Sequence, residues 1–213
     1  MNNIVIFGGT FDPVHNGHIA MAEHVITDIK AEKCIWVPNK IPLLKNRAQA
    51  STQQRIDMLE LAIQQSKQRE KFFIDHCEIN RQGPSFTVDT LRHFRNQFGQ
   101  QQSLSALMGE DAFAQLNQWH EWKTIIQLAH IILVTRPKLA SIWPDEITSF
   151  FNQHRCDNAS LLNQQPSGLL FQLNLDIEVS STIIRQHLAK HASLNDVCPK
   201  VVADYIVQNG LYR

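Results

Sequence analysis

Short runs of β-forming residues alternate with amphipathic helical patterns along almost the whole chain, and this alternation restricts the fold more than any other property. The runs "NIVIFG", "KCIWVP", "KFFIDH", "LSALMG", "AHIILVTRP" and "LLFQLNL" are interleaved with helical patterns at 16–29, 52–65, 85–98, 110–127 and, more weakly, 144–153. A further helix opens near residue 181. Strands alternating with helices predict an α/β fold: a mostly parallel, doubly wound sheet with helices on both faces. Continuous apolar runs such as "IILV" suit strands covered on both sides. The 213 residues fit one domain, with a core over about 1–178 and a small C-terminal helical part over about 179–213. The last helix is expected to start at Pro199 and to end at Asn209-Gly210, a pair suited to a left-handed cap. In such sheets ligands sit beyond the carboxyl ends of the strands, where the strand order reverses.

Lys plus Arg and Asp plus Glu each count 20, so the formal charge is zero. Proteins that coat nucleic acid or lie on membranes normally carry a basic excess, so neither partner is expected and a small molecule is. Cys34, Cys77, Cys156 and Cys198 form no C-x-x-C pair, which argues for reduced thiols rather than a zinc ribbon or a dithiol redox site. Neither a secretory leader nor a spanning apolar run stands out, so a cytoplasmic protein is expected. Whether it forms a homo-oligomer is left open. The loop from Pro38 to Ser51 carries Lys40, Lys45 and Arg47 with no acid among them, a local bias able to recognise an anion.

The stretch "FGGTFDPVHNGH", residues 7–18, joins a strand to a helix start. Such a turn aims free backbone N–H groups and the positive end of a helix at a phosphate. It is neither G-x-G-x-x-G nor a Walker loop. With Asn16 as the expected N-cap, His18 falls in the first helical turn and His15 just before it. A cation there opposes the helix dipole; neutral imidazoles avoid the penalty, and a shared anion reverses it. Two ring donors at this spacing can grip different oxygens of a polyphosphate. No third ligand stands near them in sequence, and no metal-binding side chains are assigned. A second segment, "EVSSTIIRQHL" at 178–188, repeats the pattern: Ser180, Ser181 and Thr182 compete as caps, and Arg185 opposes the dipole of the helix they open. Hydroxyls, backbone N–H groups and a forked guanidinium suit phosphate.

Together, "GGTFDPVHNGH" and "SSTIIR" resemble the two signature motifs of the bacterial nicotinate-nucleotide adenylyltransferases, within the larger nucleotidyltransferase group that shares G-x-F-D-x-x-H-x-G-H. "PNKIP", "QRIDMLELAI", "GPSFTVDTL", "MGEDAF", the Trp119 segment, "VTRP" and "YIVQNGLYR" follow in the family's order, so the resemblance spans nearly the whole chain. It implies a Rossmann-like fold and an enzyme that joins ATP to nicotinate mononucleotide, giving nicotinate adenine dinucleotide and pyrophosphate in NAD biosynthesis, with Mg²⁺ brought by ATP. Carried over by position, Gly8, Gly9, Thr10 and Phe11 form a backbone cradle near the α-phosphate. His15, His18 and Arg185 are the catalytic groups; the histidines bind the ATP phosphates, and Ser181, Thr182 and Arg185 hold the leaving end. Gly109 and Asp111 meet the ATP ribose, and Arg136 sits near the phosphates. Asn39, Lys45, Thr87 and Trp119 serve the acceptor, the indole stacking on the pyridine ring. Two positions depart from the family pattern. Pro42-Leu43-Leu44-Lys45 replaces a Pro-Pro-His-Lys-like stretch, and Phe86 stands where tyrosine is common. The alternatives are another acceptor, nicotinamide mononucleotide or phosphopantetheine, and a non-catalytic nucleotide sensor.

Overall fold

The computed structural model describes residues 2–40, 48–135, 142–176, 179–189, 194 and 197–212. Among these, seven strands form one sheet: β1 (Ile4–Gly9), β2 (Lys33–Pro38), β3 (Phe72–Ile74), β4 (Leu104–Gly109), β5 (His130–Thr135), β6 (Arg155–Cys156) and β7 (Leu170–Asn174). Every neighbouring pair is parallel, in the order β3-β2-β1-β4-β5-β7-β6. The chain builds outward from β1 to β3, then returns to lay β4 on the other side of β1, with Ile4 opposite Leu104 and Ile6 opposite Ala106. The order therefore reverses between β1 and β4, which opens a crevice beyond their carboxyl ends.

Alternation along β1 explains the two layers. Val5 and Phe7 point to one face, where they join Ala22 and Val25 of α1 (Asn16–Asp28), Met58 and Leu59 of α2 (Thr52–Gln64), and Val202 and Ile206 of a C-terminal helix. Ile4 and Ile6 point to the other, against Leu91, Phe94, Ile125 and Ile147. That second layer is built by α4 (Thr87–Phe98), α6 (Trp122–Leu128) and α7 (Asp145–His154), while the short α3 (Cys77–Asn80) and α5 (Glu110–Phe113) sit at strand ends. The C-terminal helices, α8 (Ser181–Ala189) and α9 (Lys200–Gln208), join the first layer, where Tyr205 of α9 donates to Asp57 of α2 at 2.7 Å.

The single helix expected over 110–127 is instead broken. After α5 the chain makes a 3₁₀ turn at Leu116–Gln118, runs extended at Trp119, and turns through a left-handed Glu121 (φ +47°) before α6. Leu116, Trp119 and Trp122 all face the same core layer. Their spacing of three mimics a helix, and no Gly or Pro marks the break. Strand β3 is shorter than "KFFIDH" suggests, and α3 and β6 are additions. Pro199 is the N-cap of α9 rather than its first helical residue: its carbonyl accepts from Val202 and Ala203 at 2.9 and 3.0 Å. Gly210 takes the left-handed conformation (φ +61°) expected after that helix. No helix among the described residues is long and apolar enough to cross a membrane.

Candidate active site

Beyond Gly9 the chain enters a loop, residues 10–15, held from three distant directions. Phe11 is left-handed (φ +49°), which costs a side-chain-bearing residue about 1–2 kcal/mol. Its ring, only 2% exposed, packs among Phe7, Trp36 and His18 with centroids 5.1–5.5 Å away. Burying that ring contributes about 2–3 kcal/mol, which offsets the backbone cost. The packing requires glycine at residue 9, where a Cβ would stand 2.8 Å from the Phe11 ring. Gly8 differs: it is exposed, and a Cβ there would meet nothing within 4 Å. Phe11 thus shapes the loop from below, and Gly8 leaves its backbone open above the central strand.

His15, not Asn16, is the N-cap of α1. Its Nδ1 accepts from the His18 N–H at 3.3 Å, and His18 Nδ1 accepts from the His15 N–H at 3.3 Å. Two histidines thereby form the reciprocal box usually made by Ser or Thr with Glu or Gln. The rings stack at 3.6 Å between centroids. An Nδ1 that accepts carries no proton, so each ring takes the tautomer with hydrogen on Nε2. The Nδ1 edges of both rings are thus spent on the helix cap, and the Nε2 edges are the ones that could meet an anion at the helix start.

Three residues to which sequence reasoning assigned no role hold this loop. Asp12, 6% exposed, accepts from Ala50 N–H (3.1 Å) and Tyr212 O–H (2.8 Å) on one oxygen and from Gln49 N–H (2.9 Å) on the other. Arg55, 1% exposed, donates to the carbonyls of Thr10 (2.6 Å) and Asn39 (2.7 Å). Burial pushes its guanidinium down, and the charge of Asp12 works the other way. Burial, reinforced by Asp12, pushes the Tyr212 phenol far up, which keeps it a hydrogen-bond donor. Arg55 left a trace in sequence: with Leu59 and Ala62 it lies on the buried stripe of α2, an unusual place for a guanidinium.

The start of α8 closes on the same loop. Arg185 donates to the Asp12 carbonyl (2.6 Å) and to the Thr182 hydroxyl (3.3 Å), and the Ser181 hydroxyl donates to the Pro13 carbonyl (3.1 Å). Of the three competing caps, Ser180 serves: its hydroxyl accepts from the Ile183 N–H at 3.3 Å. His15, His18, Ser181, Thr182 and Arg185 are thus gathered around residues 10–15, beside the reversal between β1 and β4.

Gly109 ends β4 and caps α5, with the exposed Asp111 in its first turn. On the other side of β1, Asn39 follows β2; its N–H donates to the Gly9 carbonyl (3.0 Å) and its amide to the Thr10 hydroxyl (3.2 Å). The Asn39 amide oxygen is buried with no partner among the described residues. Lys40 N–H donates to Ser85 Oγ (3.3 Å), and Phe86 packs on His120 with centroids 4.4 Å apart. These contacts bring the segments carrying Asn39, Thr87 and the half-buried Trp119 together along one side of the crevice. Lys45 and Arg136 lie outside the described residues.

Residues 6–187 match the model of the cytidylyltransferase-like family. The chain is 36% identical over 215 residues, with 100% of both chains covered, to a protein of Legionella pneumophila (strain Corby) named a probable nicotinate-nucleotide adenylyltransferase. A protein of the same name from Yersinia pestis (strain Pestoides F) is 32% identical over 210 residues, 98% of this chain and 94% of the relative. Among solved structures, the Plasmodium falciparum nicotinic acid mononucleotide adenylyltransferase complexed with NaAD shares the fold, with a TM-score of 0.78 at 18% identity over 100% of this chain and 98% of that one. A family match across most of the chain, with full-length relatives at this identity, places the chain in the cytidylyltransferase-like family, among the nicotinate-nucleotide adenylyltransferases.

Proposed function

We propose that the protein transfers the adenylyl group of ATP to nicotinate mononucleotide, forming nicotinate adenine dinucleotide and pyrophosphate in NAD biosynthesis. The observation that carries this reading is the convergence of two helix starts, α1 and α8, on one loop at the strand-order reversal. The names of the relatives and the NaAD in the Plasmodium falciparum structure support nicotinate as the acceptor's base.

The nucleophile is the acceptor's phosphate monoester, whose second pKa is about 6, so at neutral pH it is already mostly dianionic. No general base is required. It attacks the α-phosphorus in line, a bond to the acceptor oxygen forms, and the bond to the bridging oxygen of the β-phosphate breaks. The Nε2–H groups of His15 and His18, the backbone cradle of Gly8, Gly9, Thr10 and Phe11, and the positive end of α1 orient and neutralise the phosphate oxygens. Ser181, Thr182, Arg185 and the start of α8 receive the charge that grows on pyrophosphate. Arg136 adds charge near the phosphates. Gly109 and Asp111 hold the ATP ribose, while Asn39, Lys45, Thr87 and Trp119 hold the acceptor, the Asn39 amide oxygen taking a donor from it. Mg²⁺ arriving with ATP supplies further neutralisation of phosphate charge. The chain's donor set fits a cation held by phosphate oxygens and water, because Asp12, the carboxylate of the loop, already spends both oxygens on protein donors.

The test is pyrophosphate release from ATP with a panel of acceptors. Release with nicotinate mononucleotide at a higher kcat/KM than with nicotinamide mononucleotide or phosphopantetheine is expected. A better rate with either of the others reassigns the acceptor, and no release with any makes the protein a nucleotide-binding sensor.

A further inference from the structure

At the sheet edge farthest on the β3 side, three side chains of different chemistry meet. Asp75 follows β3, Cys77 opens α3 and His93 lies midway along α4; one ligand atom from each stands within 4.8 Å of the others. They line an open cleft together with His76, Asn80 and Arg81. None of these residues belongs to the nucleotide site, and the proposal stands whatever the acceptor proves to be. We propose that Asp75, Cys77 and His93 form a zinc site, four-coordinate, with water in the fourth position.

The donor set selects the metal. Sulfur, imidazole nitrogen and carboxylate oxygen are the three ligand types zinc combines, whereas Mg²⁺ and Ca²⁺ require oxygen. Zinc bonds of about 2.0–2.3 Å put tetrahedral ligands roughly 3.5 Å apart, so the observed spacing needs only about an ångström of side-chain rotation. The exposed His93 and half-buried Asp75 and Cys77 can make that adjustment.

The carboxylate is already oriented. Cys77 N–H donates to Asp75 Oδ1 at 2.8 Å, the Cys77 thiol bonds to the same carboxylate, and Asp75 N–H donates to the Trp36 carbonyl at 2.9 Å, which pins the group to β2. Cys77 binds a metal as its thiolate, so uptake of the ion releases the thiol proton. Arg81 lines the cleft, yet its guanidinium reaches the Thr90 hydroxyl (3.4 Å), and its charge favours the thiolate. One thiolate and one carboxylate then balance the two charges of the ion. Spacing in sequence conceals the site, because His93 stands 16 residues beyond Cys77 on another helix.

Chelator-stripped full-length protein titrated with Co²⁺ alone, in buffer without Mg²⁺, tests the assignment. One equivalent should produce a thiolate-to-cobalt charge-transfer band and tetrahedral d–d bands, both bleached by one equivalent of Zn²⁺. Cys77→Ser should abolish the charge-transfer band, and His93→Ala, at an exposed position, should weaken Co²⁺ binding by ~100-fold or more, at least the upper range for loss of a supporting contact. Both variants should keep the Mg²⁺-supported transferase rate, which reports that they fold. Absence of the band in the unsubstituted protein, its survival in Cys77→Ser, or unchanged affinity in His93→Ala would each overturn the site.

Discussion

His18 illustrates how one side chain can hold a structural and a chemical duty on opposite nitrogens. Its Nδ1 closes the cap of α1, and its Nε2–H is the donor assigned to phosphate. His18→Ala should lower kcat by about 10²–10³-fold, the scale for loss of one preorganised donor, with a smaller change in ATP KM. It should also cost about 1 kcal/mol of stability through the broken cap. His18→Gln separates the two effects, because glutamine at that position completes a capping box. Thermal melts should recover in the glutamine variant while kcat remains depressed; recovery of both would remove the ring from the chemistry. The histidines were legible in sequence as a pair with a purpose, but their mutual cap was not, since histidine is not among the preferred N-caps and Asn16 stood beside it.

At the scale of elements, the connection between α2 and the loop after β1 decides whether the crevice is open and ordered. Arg55 reaches from α2 to the carbonyls of Thr10 and Asn39, the residues that follow β1 and β2 on that side of the crevice. Arg55→Met keeps most of the apolar stem but leaves both carbonyls without their guanidinium donor. A hydrogen bond from a charged group to a buried acceptor contributes about 1.5–3 kcal/mol, so urea denaturation should show a loss of a few kcal/mol together with a lower kcat/KM. Arg55→Lys should restore only part of it, because an ammonium cannot fork across two carbonyls. The order of strands and helices was readable from the alternation of patterns, and both helix starts, to within a residue, from their candidate caps. What holds them together was not. Arg55, Asp12 and Tyr212 come from separate segments, and no local periodicity records such a meeting. The break between α5 and α6 escaped for a related reason: Leu116, Trp119 and Trp122 keep helical spacing while the backbone between them turns.

For the molecule as a whole, acid stability is set in part far from the crevice. His130 is fully buried at the start of β5, where its Nδ1 accepts from the Leu169 N–H (3.1 Å) and its Nε2 meets the Gln165 carbonyl (3.0 Å). Burial pushes its pKa down from 6.5 to about 4. The unfolded chain therefore takes up this proton at a higher pH than the folded one. The stabilisation is complete above about pH 6.5 and is lost as pH falls toward 4, by about 3 kcal/mol in all. Burial raises the Glu78 carboxyl, which acts in the opposite sense, so the comparison between two proteins is what isolates His130. His130→Asn, which keeps an acceptor for Leu169, should flatten the fall in unfolding free energy between pH 6.5 and 4; an unchanged slope would show that the imidazole does not set it. A different long-range link governs the nucleotide end. The phenolic hydrogen of Tyr212, 200 positions along the chain from Asp12, closes a ring through the molecule. The turn after α9 is thereby tied directly to the first loop rather than through the sheet, which links the seating of that helix to order at the crevice.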